Sequence, residues 1–242
     1  LLDGAKATGK NVLAENLATA FARPEWDISL YINTDASSLI GSDTFENGEV
    51  KLRKGPVLNC AIKGGFGVLD EINMAKNESL AVLHAVLDFR RVIDLPGYDR
   101  INLHEATRFI GTMNYGYAGT REMNEALASR FMVLHMPVIT GENLGKLIKD
   151  KYPTLKPEYI SQFTSLFDEI RKKGEGGEIS TRSLDLRGLI SCIGMMKKGL
   201  NVTKALEMGL INKCFDEYER QLVLDIVNAR LPKSLPGENI FS

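Results

Sequence analysis

An octet rich in glycine and lysine, close to the start of the chain, constrains the fold most. It reads Gly4-Ala5-Lys6-Ala7-Thr8-Gly9-Lys10-Asn11 and fits the pattern G-x-x-x-x-G-K-[ST] at every position except the last. Two leucines precede it as the end of a buried strand, and apolar residues recur at helical spacing from Asn11 to Arg23. A glycine-rich turn between strand and helix points backbone N–H groups at an anion. The octet therefore predicts a phosphate-binding loop; the alternative is a plain strand–turn–helix connection with a surface lysine.

The last residue of the octet departs from the pattern. Asn11 stands where a serine or threonine hydroxyl normally binds Mg²⁺. An amide oxygen can ligate this hard cation, but asparagine is larger and brings an NH₂ group that must also be placed. We expect Lys10 to reach the β- and γ-phosphates of a nucleotide. We expect Asn11 to lower the Mg²⁺ affinity or to hold the metal through water.

The composition is that of an ordinary globular protein, with 44% hydrophobic residues, 25% charged residues and a net charge of −1. A net charge so close to zero gives no general attraction to nucleic acid or anionic lipid. The three cysteines and three histidines are scattered without metal-ligand spacing, and we expect no disulfide framework. No apolar run is long enough to cross a bilayer and no signal peptide is visible, so we expect a cytoplasmic protein without membrane partners.

The pattern of strands and helices changes near residue 140. Before it, short apolar strands alternate with helices, which predicts a parallel sheet covered by helices on both sides. The predicted strands are Ser29–Ile32, Phe66–Leu69, Phe109–Met113 and Met132–Met136, the last of which is predicted to be buried. The segment Ala75–Leu87 is predicted as a helix between the second and third of these strands. After it, the predicted elements are all helices: Glu142–Lys151, Pro157–Lys172, Arg182–Lys198 and Val202–Arg230, the last broken near Gly209. We predict an α/β domain at residues 1–140, lacking an N-terminal segment because the chain begins inside an apparent strand, and an all-helical domain at 141–242.

Two hairpin signals interrupt the alternation of strands and helices. The segment Phe45–Val50 carries an Asn-Gly turn between extended residues, and Arg91–Leu103 contains a Pro-Gly pair between two short apolar runs. Both are predicted as insertions on the α/β core. They are either edge decoration or projecting loops that contact a substrate or partner.

Polar residues follow two of the predicted strands. Asp70 and Glu71 come directly after one apolar strand, and Asn114 follows the next. In parallel sheets ligands bind at the carboxyl ends of the strands. There Asp70 could hold Mg²⁺, Glu71 could polarise the attacking water and Asn114 could orient that water. The alternatives are an acidic cap for the next helix and an asparagine that simply ends a strand.

Two arginines are candidates for contacting the phosphate from elsewhere. Arg130 closes a short helix just before the last predicted strand, where it could reach the phosphate of a neighbouring subunit or form an ordinary surface ion pair. Ser180 and Thr181 would cap a helix that begins with Arg182, a position that favours a nearby anion. Arg187 lies about 140° around that helix, so we treat it as the exposed alternative.

Five motifs follow one another along the chain: GAKATGKN, VLDEINMA, FIGTMNYG, EALASRF and ISTRS. In this order and spacing the chain resembles an AAA+ ATPase, in particular the MoxR and dynein-related branch. The segment Asp35–Ile62 is similar to the helix-2 insertion of that branch, with Leu39-Ile40-Gly41 and Gly55-Pro56 as its landmarks. The resemblance implies an α/β fold with a RecA-like P-loop parallel sheet, followed by a C-terminal all-helical lid domain.

The resemblance also implies roles for the candidate residues. It makes the loop residues Gly4, Ala5, Lys6, Ala7, Thr8, Gly9, Lys10 and Asn11 a Walker A motif, Asp70 and Glu71 a Walker B pair, Asn114 sensor 1, Arg130 an arginine finger in trans and Arg182 sensor 2. ATP and Mg²⁺ are the implied cofactors, with the metal on Asn11 and Asp70. The implied partners are copies of the same chain in a ring, usually a hexamer, and a protein substrate, often one with a von Willebrand A domain. No nucleic-acid partner is expected.

Three functions remain open from the sequence. The first is an Mg²⁺-dependent, ATP-hydrolysing ring subunit that remodels or activates a protein partner, in the manner of a MoxR chaperone. The second is a nucleotide-binding scaffold with weak or no hydrolysis because of Asn11. The third is another P-loop enzyme. The adjacent carboxylates and the helical lid argue against a kinase, and the tetrad Asn212-Lys213-Cys214-Phe215 lacks the final Asp of a guanine-reading N-K-x-D loop. A restriction-type GTPase remains open.

Overall fold

The computed structural model describes residues 1–95, 97–114, 120–180, 184–232 and 234–242 of the chain. These residues form two compact units, Leu1–Pro137 and Val138–Ser242. Each unit encloses its own cluster of buried apolar side chains.

The first unit combines strands and short helices. Its strands are β1 (Leu2–Gly4), β2 (Glu25–Ser29), β3 (Gly41–Glu46), β4 (Glu49–Lys54), β5 (Gly65–Asp70), β6 (Val92–Ile93), β7 (Ile101–Asn102), β8 (Thr107–Met113) and β9 (Leu134–Met136). Its helices are α1 (Lys10–Ala20), α2 (Ala36–Ile40), α3 (Pro56–Lys63), α4 (Asn77–Leu80), α5 (His84–Leu87) and α6 (Glu125–Ala128), with 3₁₀ turns at Ile72–Met74 and Ala81–Leu83.

Five of these strands form one parallel sheet in the order β2-β5-β8-β1-β9. The predicted α/β class with a parallel sheet is thus confirmed. Strand β8 lies between β5 and β1, and its residue Thr112 is in register with Leu2 of β1. The segments that follow β1, β5 and β8 therefore emerge side by side at one edge of the sheet.

Among the predicted elements of the first unit, a strand and a helix differ clearly from the structure. The strand predicted at Ser29–Ile32 is β2, which ends at Ser29, because the chain turns where the N–H of Thr34 donates to the carbonyl of Tyr31. The segment Ala75–Leu87 is divided into α4, a 3₁₀ turn and α5. Its buried side chains Leu80, Leu83 and Val86 are three residues apart, which suits the three-residue period of a 3₁₀ helix.

The last strand was predicted to be buried and to span Met132–Met136, but it is a three-residue edge strand. The exposed fraction is 88% for Met132 and 58% for Leu134. The strand pairs on one side only, with β1, so its apolar composition does not reflect burial in the core.

Both predicted hairpins are present. Strands β3 and β4 pair antiparallel with Phe45 opposite Val50, and the turn residues Asn47 and Gly48 have φ of 53° and 86°. Two positive φ angles in succession are typical of the tight turns that match the twist of a hairpin. Strands β6 and β7 pair antiparallel through Val92 and Asn102.

The second unit is helical. Its helices are α7 (Gly141–Lys151), α8 (Pro157–Glu175), α9 (Leu186–Lys197), α10 (Val202–Gly209) and α11 (Glu217–Arg230), with 3₁₀ turns at Ile211–Lys213 and Gly237–Ile240. The predicted break near Gly209 is confirmed. Among the described residues of the chain, no helix is both long enough and apolar enough to span a membrane.

The helix predicted over Arg182–Lys198 corresponds to α9, which spans Leu186–Lys197. Helix α9 begins at Leu186 after the N-cap residue Asp185, and Arg182 and Thr181 lie outside the described residues. Ser180 lies five residues before this N-cap, and its N–H and its hydroxyl both donate to the carboxylate of Glu219 in α11, each at 2.8 Å.

Candidate nucleotide-binding site

The backbone between β1 and α1 adopts a conformation that suits an anion. Gly4 has a φ of 146°, and a Cβ there would lie 2.4 Å from the carbonyl oxygen of Met136 in β9, so only glycine fits. Ala7 and Gly9 have φ of 63° and 86°, in the left-handed region. For Ala7 this conformation costs about 1–2 kcal/mol, which is backbone strain stored in the loop. Left-handed residues in a loop that leads into the N-terminus of a helix, here α1 at Lys10, are typical of loops whose backbone N–H groups bind phosphate.

The side chain of Lys10 is held beneath this loop. The residue is 6% exposed, and its Nζ donates to the carbonyl oxygens of Gly4 and Ala5 at 3.0 and 2.8 Å. A third hydrogen bond, of 2.8 Å, runs to Oδ1 of Asn114. The ammonium group is therefore directed toward the carboxyl end of β8. Its positive charge can neutralise a phosphate bound at the loop.

The two predicted carboxylates follow β5 directly. Asp70 is the last residue of β5, and Glu71 has a φ of 55°, which turns the chain out of the strand direction. The carboxylate of Asp70 accepts a hydrogen bond of 2.6 Å from the hydroxyl of Thr112. Among the described contacts, the side chain of Glu71 makes no capping hydrogen bond to the 3₁₀ turn that follows. The described contacts therefore do not support the alternative in which this pair caps the next helix.

Asn114 connects the lysine and the carboxylate. Its Oδ1 accepts the hydrogen bond from Lys10, and its Nδ2 donates to Oε1 of Glu71 at 3.3 Å. The two partners belong to segments after β1 and β5, and Asn114 reaches both because β8 lies between these strands. The alternative of an asparagine that only ends a strand does not account for these two contacts.

Two supporting residues were missed from the sequence. Thr112 lies two residues before Asn114 on β8, and Asn73 lies two residues after Glu71; they are 1% and 4% exposed. The Nδ2 of Asn73 donates to the backbone carbonyl of Asn114 at 2.8 Å. Thr112 could have been recognised from the sequence, because it is a polar residue inside the apolar run of β8. No comparable signal marks Asn73, because its bond depends on the pairing of distant segments.

Arg130 lies in an ion-pair cluster within its own chain. Its Nη2 is 3.5 Å from Oδ2 of Asp88, and its Nε donates to the carbonyl of His84 at 3.2 Å. Arg90 contacts the same carboxylate at 2.6 Å. Its hydrogen bond lowers the pKa of Asp88 to about 2. The surface ion pair considered from the sequence is thus present, while a role for Arg130 in trans stays a prediction.

The predicted lid arginine cannot be placed, since Arg182 lies outside the described residues. Its alternative, Arg187, is exposed in the first turn of α9. The sequence interpretation of Arg187 as an exposed residue agrees with this position.

The donor atoms at this edge of the sheet fit a nucleotide and Mg²⁺ together. Asn11 is exposed in the first turn of α1, and Asp70 ends β5 with one carboxylate oxygen engaged by Thr112. Within the described parts of the chain, no group of three or more His, Cys, Asp or Glu could hold a metal unaided. Magnesium commonly binds through one or two carboxylates plus substrate phosphates and waters, and this donor set suits that mode.

Comparisons with known proteins show the family to which the chain belongs. The family model for the AAA domain (dynein-related subfamily) matches residues 1–131. An uncharacterised protein of Staphylococcus saprophyticus is 34% identical over 233 residues, which cover 94% of this chain and 88% of that protein. The uncharacterised protein YojN of Bacillus subtilis is 31% identical over 231 residues, which cover 93% of this chain and 76% of that protein. A solved structure from Cytophaga hutchinsonii covers 97% of this chain and 77% of its own, with 16% identity and a TM-score of 0.49, too distant to support a statement about activity. Because the family model spans more than half of the chain, the protein belongs to the dynein-related subfamily of AAA domains.

Proposed function

We propose that this protein is an Mg²⁺-dependent ATPase that works as a subunit of a ring and remodels or activates a protein partner. The observation that supports hydrolysis most is the hydrogen-bonded series from Lys10 through Asn114 to Glu71. It joins the groups that bind a phosphate, orient a water molecule and polarise it. A chain that only bound nucleotide would need the first of these groups alone.

In this proposal each residue has a separate task. The loop N–H groups and the first turn of α1 bind the phosphates, and Lys10 turns its ammonium group from Asn114 toward them. When bound, Mg²⁺ neutralises charge on the β- and γ-phosphates, and Asp70 and Asn11 are the residues that would hold it. Glu71 accepts a hydrogen bond from the attacking water and raises its nucleophilicity. Asn114 orients that water without adding charge.

Assembly into a ring and action on a protein partner are proposed because the chain belongs to this family. Arg130 would leave its contact with Asp88 and stabilise charge at the phosphate of a neighbouring copy, and Arg182 would contact the nucleotide from the helical lid. A hexamer, a cytoplasmic location and a MoxR-like chaperone role on a von Willebrand A domain protein are parts of this proposal. The hairpin β3–β4 is the candidate partner contact, because its paired residues Phe45 and Val50 are 75% and 64% exposed.

The second candidate function is a nucleotide-binding scaffold that assembles with ATP and turns it over poorly. The observation in its favour is Asn11, which puts an amide in place of the usual hydroxyl at the metal position.

Turnover of ATP and GTP, measured against protein concentration, tests these functions. We expect ATP turnover that rises with assembly in the parent and falls at least about a hundredfold in Glu71→Gln and Arg130→Ala, as for loss of other transition-state contacts. Glu71→Gln should still bind ATP. Glu15→Gln, a change of an exposed carboxylate on α1, is the matched control and should retain parental turnover.

A parent protein that binds ATP but does not hydrolyse it would establish the scaffold instead. Faster turnover of GTP than of ATP would contradict the proposed substrate. Turnover in Arg130→Ala equal to that of the parent would remove the role of Arg130 in trans.

A further inference from the structure

One buried hydroxyl contacts both residues of the Asp-Glu pair. Thr112 is 1% exposed, and its Oγ1 donates to Oδ1 of Asp70 at 2.6 Å. The same oxygen accepts a hydrogen bond of 3.1 Å from the backbone N–H of Glu71. A threonine hydroxyl has one proton to donate and lone pairs to accept with, so both bonds form at once. The side chain thus joins β8 to the end of β5.

The bond to Asp70 restrains a carboxylate that the proposed function uses for Mg²⁺. A donor held at 2.6 Å from an ionised oxygen is a charge-assisted hydrogen bond, which is stronger than a neutral one. With Oδ1 held by Thr112, rotation of the carboxylate is restricted, and Oδ2 is the oxygen left to face a cation. Fixing this direction before the cation arrives lowers the entropic cost of binding.

The bond to Glu71 supports an unfavourable backbone conformation. Glu71 has a φ of 55°, which few residues other than glycine adopt and which persists only when its surroundings hold it. The turn directs the side chain toward Asn114, whose Nδ2 donates to it at 3.3 Å. The hydroxyl of Thr112 accepts a hydrogen bond from the backbone N–H of Glu71 at this turn. It therefore helps to fix the direction in which the Glu71 side chain points.

We propose that Thr112 is a positioning residue that orients the Asp70 carboxylate for Mg²⁺ and the Glu71 carboxylate for water activation. It acts through these two residues. The inference rests on the proposed function, since it assigns Thr112 a part in the same site. If Thr112 serves only to satisfy buried polar groups, its loss changes stability and leaves cation binding unaltered.

The chain offers a matched control on the same strand. Thr107, at the other end of β8, is 0% exposed, and its hydroxyl shares its one proton between the backbone carbonyl oxygens of Cys60 and Ala61, at 3.1 and 3.4 Å. Thr107→Val and Thr112→Val therefore each replace a buried hydroxyl on β8 with a methyl group of similar volume. Only Thr112→Val removes contacts to Asp70 and Glu71, while Thr112→Ser keeps the hydroxyl.

The experiment measures binding of a fluorescent ATP analogue against Mg²⁺ concentration, with melting temperature and steady-state turnover alongside. For Thr112→Val we expect the Mg²⁺ concentration at half-maximal binding to rise about tenfold, corresponding to about 1.4 kcal/mol. At saturating Mg²⁺ we expect its kcat to fall while KM for ATP stays near the parental value. Thr112→Ser should restore both quantities, and Thr107→Val should lower the melting temperature alone.

Two results would overturn the inference: a parental Mg²⁺ midpoint in Thr112→Val, or the same rise in Thr107→Val. Failure of the proposed function would give a different experimental result. A parent that binds ATP with Mg²⁺ but does not turn it over contradicts hydrolysis, while the Mg²⁺ midpoint of Thr112→Val still decides the role of Thr112 toward Asp70. A parent that hydrolyses ATP, together with a Thr112→Val variant of parental midpoint, leaves the function standing and removes the inference.

Discussion

At the residue scale, the first turn of α1 presents an amide where the phosphate-loop pattern has a hydroxyl. Asn11 is exposed there, one residue after Lys10, and this placement follows from the octet alone. The contacts of Lys10 with Asn114 and of Thr112 with Asp70 do not follow from it. Those pairs are separated by 104 and 42 residues, so local pattern carries no information on them.

Replacing Asn11 tests the metal argument. In Asn11→Thr we expect turnover at a lower Mg²⁺ concentration, or faster turnover at a fixed one, because a hydroxyl is the smaller ligand and brings no NH₂ group to accommodate. The measurement is ATP turnover across an Mg²⁺ titration. Asn16→Thr, also on an exposed position of α1, controls for the change in helix propensity. Identical Mg²⁺ curves for parent and Asn11→Thr would refute this account.

The ion pairs of Asp88 predict a dependence on pH. Arg90 lowers the pKa of Asp88 from 3.8 to about 2, so the folded state favours the charged form. The stabilisation is fully present above about pH 4 and is lost as the pH falls toward 2. Carboxyl chemical shifts in an NMR titration of the folded protein should show this low midpoint. In Arg90→Ala we expect the midpoint to move upward, and a midpoint near 3.8 in the parent would contradict the assigned contacts.

At the scale of elements, the spacing of apolar residues predicted most helices and strands, and it failed where the backbone left the regular period. The segment Ala75–Leu87 has apolar residues that a helix would also bury, but it divides around a 3₁₀ turn. Strand β9 reads as apolar and is an exposed edge. Whether a strand is central or at an edge depends on pairing between distant segments, which the period of a single segment does not report.

Two helical glycines give opposite predictions for the same substitution. A Cβ on Gly188 in α9 would lie 2.4 Å from the carbonyl oxygen of Gly209 in α10, whereas a Cβ on Gly174 in α8 meets nothing within 4 Å. We expect Gly188→Ala to lower the free energy of unfolding by about 1–3 kcal/mol through overpacking. Gly174→Ala should raise it by about 0.5–1 kcal/mol through helix propensity. Urea unfolding measures both, and equal effects of the two changes would show that close approach of the backbones is not what requires Gly188.

At the scale of the whole molecule, the described residues form two hydrophobic cores, one in Leu1–Pro137 and one in Val138–Ser242. The phosphate loop, the carboxylate pair, Asn114 and Arg130 all belong to the first. A ligand that binds a folded unit stabilises that unit by mass action.

This division predicts how core substitutions and nucleotide act. We expect two thermal transitions, of which ATP with Mg²⁺ raises that of the first unit more, because the loop and the carboxylate pair belong to it. The side chains of Leu58 and Phe163 are both fully buried, one in each core. Leu58→Ala should cost about 2–5 kcal/mol in the first transition and Phe163→Ala about 3–5 kcal/mol in the second. Scanning calorimetry with and without ATP measures all of this, and a single transition that both variants lower equally would contradict it.

The sequence by itself determined the phosphate loop, the polar residues that follow the strands and the change from an α/β to a helical pattern. Each of these depends on residues close together in the chain, whose conformation is set by glycine, by period and by burial. Only the tertiary structure decided that β8 lies between β5 and β1. That order results from pairing between segments distant in sequence. It is the physical reason why Asn114 joins Lys10 to Glu71, and why Thr112 reaches Asp70.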